Sequence, residues 1–240
     1  MKEKLAIFDV DGTLFDGNLG IEFVKTLVKK GIFEKEVGEG IFDWYGKYKN
    51  GEVEKSIAVD EIYQLFAKGM TGKTIEDMHS VALETWNEVV SKLHGFAESL
   101  TEKLREHGFK IILLSGSPIE MISILGEKLK VNGNELIAGS LETSDGLYTG
   151  NTISYPGSSD AKITAINEYI GENGLEVDWP NSFGMGDNER DLGILSLVGL
   201  SFAFEPNEAL AEKAKELGYQ VVDRTDVIDC VQKTIAVRQL

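Results

Sequence analysis

Three stretches lying far apart in the 240-residue chain concentrate carboxylates and hydroxyls: Asp9-Val10-Asp11-Gly12-Thr13, Ser115-Gly116-Ser117, and Gly186-Asp187 with Asp191 four residues on. Lys162 adds a cation at the start of a later helical segment. Each stretch alone has an ordinary explanation. Asp-x-Asp-Gly opens calcium loops, but counting from Asp9 puts Leu14 where such a loop needs glycine and Gly20 where it needs glutamate. Asp187 and Asp191 could cap a helix and occupy its solvated first turn, Ser115 and Ser117 could be capping residues, and Lys162 could be a surface lysine. Their joint position changes the reading. The three stretches each end a short apolar run, and open α/β sheets bind ligands outside the carboxyl ends of their strands. Gathered on one rim, Asp9, Asp11, Asp187 and Asp191 would carry −4 and repel one another in a partly desolvated pocket. A hard divalent cation with Lys162 supplies +3, and Mg²⁺ suits a few carboxylates plus substrate phosphate oxygens better than a full protein cage. The expected cofactor is therefore Mg²⁺, bridging the protein to the phosphate of a small phosphorylated metabolite.

The elements that must position these groups can be read from hydrophobic period. Apolar runs suited to buried strands occupy 4–9, 110–115, 182–187, 200–204 and 219–223. Between them lie helical patterns: 96–107 closed by Gly108, 118–129 with Pro118 in the first turn, 161–170 closed by Gly171, 189–198, and 207–217 closed by Gly218. Alternating strands and helices predict an α/β fold, a Rossmann-like core with a mostly parallel sheet. The segment 135–155 reads instead as short strands around a turn at Asp145-Gly146. About 95 residues separate the first two strands, far more than a crossover needs. That excess predicts an inserted α-helical cap: Phe23, Val24, Leu27 and Val28 share a helical face, and Ile75, Met78, Ala82, Val89 and Leu93 recur at helical spacing behind a Thr74/Asp77 capping box. The expected division is 1–15 with 95–240 as core and 16–94 as cap.

Composition narrows the class. With 42% hydrophobic and 27% charged residues the chain is an ordinary globular protein, and a folded surface of roughly 10,600 Å² is expected for its size. Lys and Arg number 24 against 40 Asp and Glu, a net charge of −16 that repels nucleic acid and anionic lipid headgroups. Neither nucleic acid nor membrane is expected as a partner. The single cysteine, Cys230, forms no intramolecular disulfide, and no apolar run resembles a signal peptide or a membrane span, so the expected location is cytoplasmic.

The combination DVDGT at Asp9–Thr13, SGSP at Ser115–Pro118, the Ala161-Lys162 pair and GDNERD at Gly186–Asp191 resembles the haloacid dehalogenase superfamily, in its phosphoserine-phosphatase-like (class IB) branch with a helical C1 cap. Leu147–Gly150 (LYTG) also resembles that branch. The resemblance spans most of the chain and implies phosphoryl transfer in two steps. Asp9 would be the nucleophile and form an aspartyl-phosphate; Asp11 would act as general acid and then base. Thr13, Ser115, Gly116 and Lys162 would hold the phosphate, with Lys162 neutralising developing charge. Mg²⁺ would sit among Asp9, the Asp11 carbonyl and Asp187, with Asp191 as a further ligand or support. The family's dehalogenases lack the second aspartate, so Asp11 points to phosphate chemistry.

The chain departs from the branch in informative places. The glutamate expected seven residues past the second aspartate falls on Asn18, and the cap arginine that pairs with a substrate carboxylate falls on Ala58. No arginine occurs between Met1 and Leu104, so phosphoserine is disfavoured as substrate. Arg190 stands where many relatives have asparagine. In the cap, Phe42, Trp44, Tyr45 and Tyr48 beside Lys47 and Lys49 form either internal packing with a basic edge or an aromatic wall for an apolar or amine-bearing leaving group. The leading expectation is a Mg²⁺-dependent phosphatase for a small monoester. A phosphotransferase or mutase using the same aspartyl-phosphate, and a phosphate-binding module without turnover, stay open.

Overall fold

The computed structural model describes residues 2–238. The first strand, β1 (Lys4–Phe8), shows why the sheet forms: Leu5 and Ile7 point to one face and Ala6 and Phe8 to the other, and all four are fully buried. Only a central strand covered on both sides buries such a run, and each large side chain contributes about 1.5–3 kcal/mol by leaving water. The remaining strands are β2 (Phe109–Pro118), β3 (Leu136–Ser144), β4 (Leu147–Ser154), β5 (Phe183–Gly186), β6 (Leu200–Phe204) and β7 (Gln220–Val222). They form a seven-stranded sheet in the order β4-β3-β2-β1-β5-β6-β7. Every pairing is parallel except β3 with β4, the hairpin that turns at Asp145-Gly146. The chain leaves β1 on one side through β2 and β3, then crosses to the other side at β5. Strand order thus reverses at β1, the place in an open sheet where a ligand crevice forms.

Helices α1 (Leu19–Lys29), α2 (Lys35–Lys49), α3 (Lys55–Met70) and α4 (Ile75–Val89) fill the insertion between β1 and β2. Helices α5 (Ala97–Glu106), α6 (Ile119–Leu129), α7 (Ser159–Glu172), α8 (Leu192–Leu197), α9 (Glu208–Leu217) and α10 (Val227–Arg238) cover the sheet. One apolar cluster runs from Phe8, Ile111 and Leu113 on one sheet face through Met121 and Leu125 of α6 into Phe23, Leu27, Met78 and Phe66 of the insertion. A second, around Leu5, Ile7, Ile112, Ala165 and Ile166, fills the opposite face. The inserted helices therefore share a core with the sheet, and the accessible surface is 11,241 Å², close to the value expected for one packed globule.

Several boundaries differ from the sequence reading. Gly171 does not end its helix; α7 continues to Glu172 and stops at Asn173, with Gly174 in the left-handed region. Pro118 is the extended residue before α6, one position earlier than a first-turn proline. The expected helix 189–198 is a 3₁₀ turn, Glu189–Asp191, followed by α8, because Asn188 and Asp191 close a reciprocal cap on the turn. α10 had no counterpart in the periodicity, and Cys230 on it is half-buried against the main cluster, not enclosed.

Candidate active site

The loop after β1 folds back on itself: Thr13, Leu14 and Phe15 all donate backbone N–H bonds to the Val10 carbonyl, and Gly12 N–H donates to Phe15. Gly12 has φ +94°, and a Cβ there would lie 2.5 Å from Asp187 Oδ2. Glycine is needed for both reasons, conformation and space, and its absence of side chain is what lets the Asp187 carboxylate rest against the first loop. Thr13, fully buried, donates its hydroxyl to Asp9 Oδ2 at 3.2 Å and lies 3.5 Å from Asp187 Oδ1.

At the centre, Lys162 projects from the first turn of α7, capped by Ser158, and is 2% exposed. Its ammonium donates to Asp9 Oδ1 and, at 2.7 Å, to Asp191 Oδ1. Asp191 Oδ2 accepts from the backbone N–H groups of Asp187 (3.0 Å) and Asn188 (3.2 Å). Both Asp191 oxygens are thus engaged in holding Lys162 and the turn. One ammonium cannot balance the buried carboxylates of Asp9 and Asp191 together with the half-buried one of Asp187. Burial, with the charges of Asp191 and Asp187 added and Lys162 opposing, pushes Asp9 up to about 8. Burial and Asp191 push Asp187 up to about 6. Burial works against the charge on Lys162, but Asp191 and Asp9 outweigh it and hold the amine above the usual lysine range.

This surplus of negative charge is the test of whether a hard cation belongs here. Oxygens of Asp9, Asp187 and Asp191 lie within 4.8 Å of one another, and an oxygen-only donor set that resists ionising without a counter-charge fits Mg²⁺ chemistry. The Asp11 carboxylate is not part of that cluster. Its Oδ2 accepts the hydroxyls of Ser115 (2.8 Å) and Ser117 (2.7 Å), and its Oδ1 accepts Leu19 N–H at 2.7 Å. Ser117 Oγ accepts Gly20 N–H, and Asn18 Oδ1 accepts Ile21 N–H, both at 2.9 Å. The N-terminus of α1 is thereby aimed at the loop Ser115-Gly116-Ser117, which forms the irregular end of β2 where its register with β3 breaks. The structure brings Asp9, Asp11, Thr13, Ser115, Gly116, Lys162, Asp187 and Asp191 to one rim.

Four groups at this rim were not read as site residues from the sequence. Arg190 Nε donates to Asn188 Oδ1 at 2.9 Å, and Asn188 Nδ2 donates to Asp187 Oδ1 at 2.6 Å, so the guanidinium is tethered beside the acidic cluster. Burial opposes its charge, but Asp9, Asp191, Tyr48 and Asp187 keep it fully protonated. Tyr155 stands over Gly116, where a Cβ would lie 3.5 Å from its hydroxyl, and meets Tyr63 of α3 ring to ring at a tilt of 40°, with centroids 4.1 Å apart. All of these groups line a cavity of about 420 Å³ closed above by α1, α2 and α3. Of the cap aromatics, Tyr45 and Tyr48 line the cavity, whereas Trp44 holds Lys47 over its ring outside it and Phe42 packs on the core cluster. Asn18 lines the cavity and Ala58 is buried away from it. No helix among the described residues is long and apolar enough to cross a membrane.

Residues 6–196 match the family model for haloacid dehalogenase-like hydrolase. The chain is 26% identical over 225 residues to a histidinol-phosphatase of Neisseria meningitidis, covering 92% of this chain and 99% of that protein. It is 26% identical over 202 residues to a phosphoserine phosphatase of Streptococcus thermophilus, covering 83% of each. Among solved structures it superimposes on a protein of unknown function from Bordetella pertussis with a TM-score of 0.78 and 22% identity, over 93% of this chain and all (100%) of that one. A substrate-bound phosphoserine phosphatase gives a TM-score of 0.66 and 19% identity, covering 95% and 98%.

Proposed function

The chain belongs to the haloacid dehalogenase-like hydrolases, in their phosphoserine-phosphatase-like branch, and from that premise we propose that it hydrolyses a small phosphate monoester through an aspartyl-phosphate on Asp9. The observation that carries the reading is the pairing of two differently placed carboxylates on one loop. Asp9 lies at the cavity floor against Lys162, and Asp11 faces the Ser115 and Ser117 hydroxyls. In the first step an Asp9 oxygen attacks phosphorus, the Asp9 O–P bond forms, the ester P–O bond breaks, and Asp11 gives a proton to the leaving oxygen. In the second, Asp11 takes a proton from water, water oxygen bonds to phosphorus, and the acyl-phosphate bond breaks to free Asp9. Three donors converge on Asp11, the hydroxyls of Ser115 and Ser117 and the Leu19 N–H, and hold its carboxylate over the phosphate loop.

Asp9 and Asp187 would hold a divalent cation, with Asp191 fixing Lys162 and the turn behind them. Bound there, Mg²⁺ would neutralise the cluster and polarise the phosphoryl oxygens. Lys162 takes the remaining charge, and Gly116 gives close access to the phosphate loop. Histidinol phosphate and phosphoserine, the esters that the relatives' names point to, are the first compounds to try. The experiment is phosphate release from a panel of monoesters, with Mg²⁺ or with EDTA, on the unmodified protein and on Asp9→Asn. Metal-dependent release lost in the variant supports the reading; folded protein that releases no phosphate from any ester refutes it.

A further inference from the structure

The cavity is sharply divided in character. At its floor lie Asp9, Lys162, Asp187 and Arg190; its cap wall is mostly hydrocarbon and ring, from Val24, Ile41, Ile62 and Phe66 with Tyr45 and Tyr48, and the buried hydroxyl of Tyr63 has no partner among the described residues. Val24, Ile41 and Phe66 are at most 3% exposed, so this wall is built and not merely a surface of α1, α2 and α3. The charged side chains lining the cavity away from the floor, Asp16 and Lys49, are solvent-exposed at its rim. Arg190 is the cation that could serve a second anionic group on a substrate, but it is anchored to the floor through Asn188 and Asp187. The carboxylates of Asp9 and Asp191 act on it most strongly, and its backbone N–H is held by Asn188 as well. Among the described residues its two Nη atoms make no hydrogen bond. A guanidinium whose two Nη atoms are left without a partner offers parallel donors of the kind that match phosphoryl oxygens.

Resting on the phosphatase reading above, we propose that this site takes monoesters whose leaving group is an apolar or aromatic alcohol without a carboxylate, with Arg190 binding the phosphoryl end. A leaving-group carboxylate would enter a wall whose lining cation, Lys49, lies exposed at the rim over the ring of Tyr45, and a buried charge without a partner is strongly disfavoured. An apolar body fills the same wall against its aliphatic and ring surfaces, and buried hydrocarbon discriminates by about 10–200-fold per well-placed group.

The test is calorimetric titration of the intact protein with Mg²⁺ and two phosphonates that cannot be hydrolysed: 3-phenylpropylphosphonate and 2-amino-4-phosphonobutanoate, carbon analogues of phenylethyl phosphate and phosphoserine. The phenyl compound is expected to bind at least ~10-fold more tightly. Equal affinity, the reverse order, or no binding of the phenyl compound overturns the proposal. Arg190→Ala is expected to weaken both phosphonates and inorganic phosphate by a similar factor, and a loss confined to the carboxylate-bearing compound overturns the role given to Arg190. Ile62→Arg, checked by an unchanged melting transition and repeated as Val59→Arg, is expected to reverse the preference. Binding in the expected order with no phosphate release from any ester of the panel would refute the phosphatase reading and leave this binding preference standing.

Discussion

Asp9 is poised against its own surroundings, and the consequences at the scale of single residues can be measured. Its carboxyl rises from 3.8 in the unfolded chain to about 8 when folded, and Asp187 rises from 3.8 to about 6. Between those limits the folded protein binds more protons than the unfolded one, so without metal the stabilisation is fully present below about pH 4 and is lost as pH rises through about 8. A divalent cation displaces those protons, so the rise in melting temperature between EDTA and Mg²⁺ should be small at pH 5 and grow steadily to pH 8. A Mg²⁺ effect independent of pH would contradict the raised values. Lys162→Met leaves buried carboxylates without their ammonium and should lower the unfolding free energy in urea by about 3–5 kcal/mol in EDTA. Asp9, Asp11 and Asp187 were legible in the sequence because each follows a strand, and Lys162, in the first turn of α7, because it appears in order with them. Arg190 was not, because its direction is set by the 3₁₀ turn and the Asn188 tether, neither of which leaves a periodic signal.

At the scale of elements, the start of α1 ties the insertion to the phosphate loop. Leu19, Gly20 and Ile21 N–H groups are taken by Asp11, Ser117 and Asn18, so three of the four donors that a helix N-terminus leaves open are satisfied by different parts of the site. Asn18→Ala should cost about 1 kcal/mol in urea unfolding, the usual worth of such a cap, while leaving Asp9 chemistry in place. Gly12→Ala should act differently: the added methyl meets Asp187 Oδ2 at 2.5 Å, so the carboxylate must move. The expected outcome is a Mg²⁺ affinity lowered at least ~10-fold by titration, beyond the ~1 kcal/mol of backbone strain. The strands and, apart from α10, the helices that cover them were readable because burial on two faces or one leaves a clean period. α2 and α3 were not: α2 encloses only Val37, Gly38 and Ile41, and Gly38 sits where a Cβ would lie 2.3 Å from a methyl of Val28. A glycine chosen for close packing reads in sequence as a break, and a face that lines a cavity need not alternate like a face that meets a core.

For the whole molecule, the question is which part of the insertion can move to admit an ester. α1 and α4 pack on β2 and α6, inside the shared apolar core, and the connection from α3 to α4 is pinned to the β3–β4 hairpin. There Gly72 N–H donates to Tyr148 at 2.8 Å, Tyr148 N–H to Lys73 at 3.0 Å, and Ile75 N–H to Gly146 at 3.0 Å. α3 adds the tilted ring contact of Tyr63 with Tyr155 and the approach of the Tyr63 hydroxyl to Gly139. α2 makes no backbone hydrogen bond to the hairpin among the described residues; it packs on α3 and α1 and reaches the rim through Tyr45 and Tyr48. The least costly opening is therefore a displacement of α2, which buries only Val37, Gly38 and Ile41 where α1 and α4 each bury six residues. Native-state hydrogen exchange should show α2 exchanging faster than α1, α3 and α4. Mg²⁺ with a tightly bound phosphonate should slow exchange most in α2, because a ligand that fills the cavity restores packing to the one helix that lacks it. Uniform protection across all four helices would mean that the insertion moves as a unit, and the hairpin contacts at Gly72 and Ile75 would then have to break in every opening event.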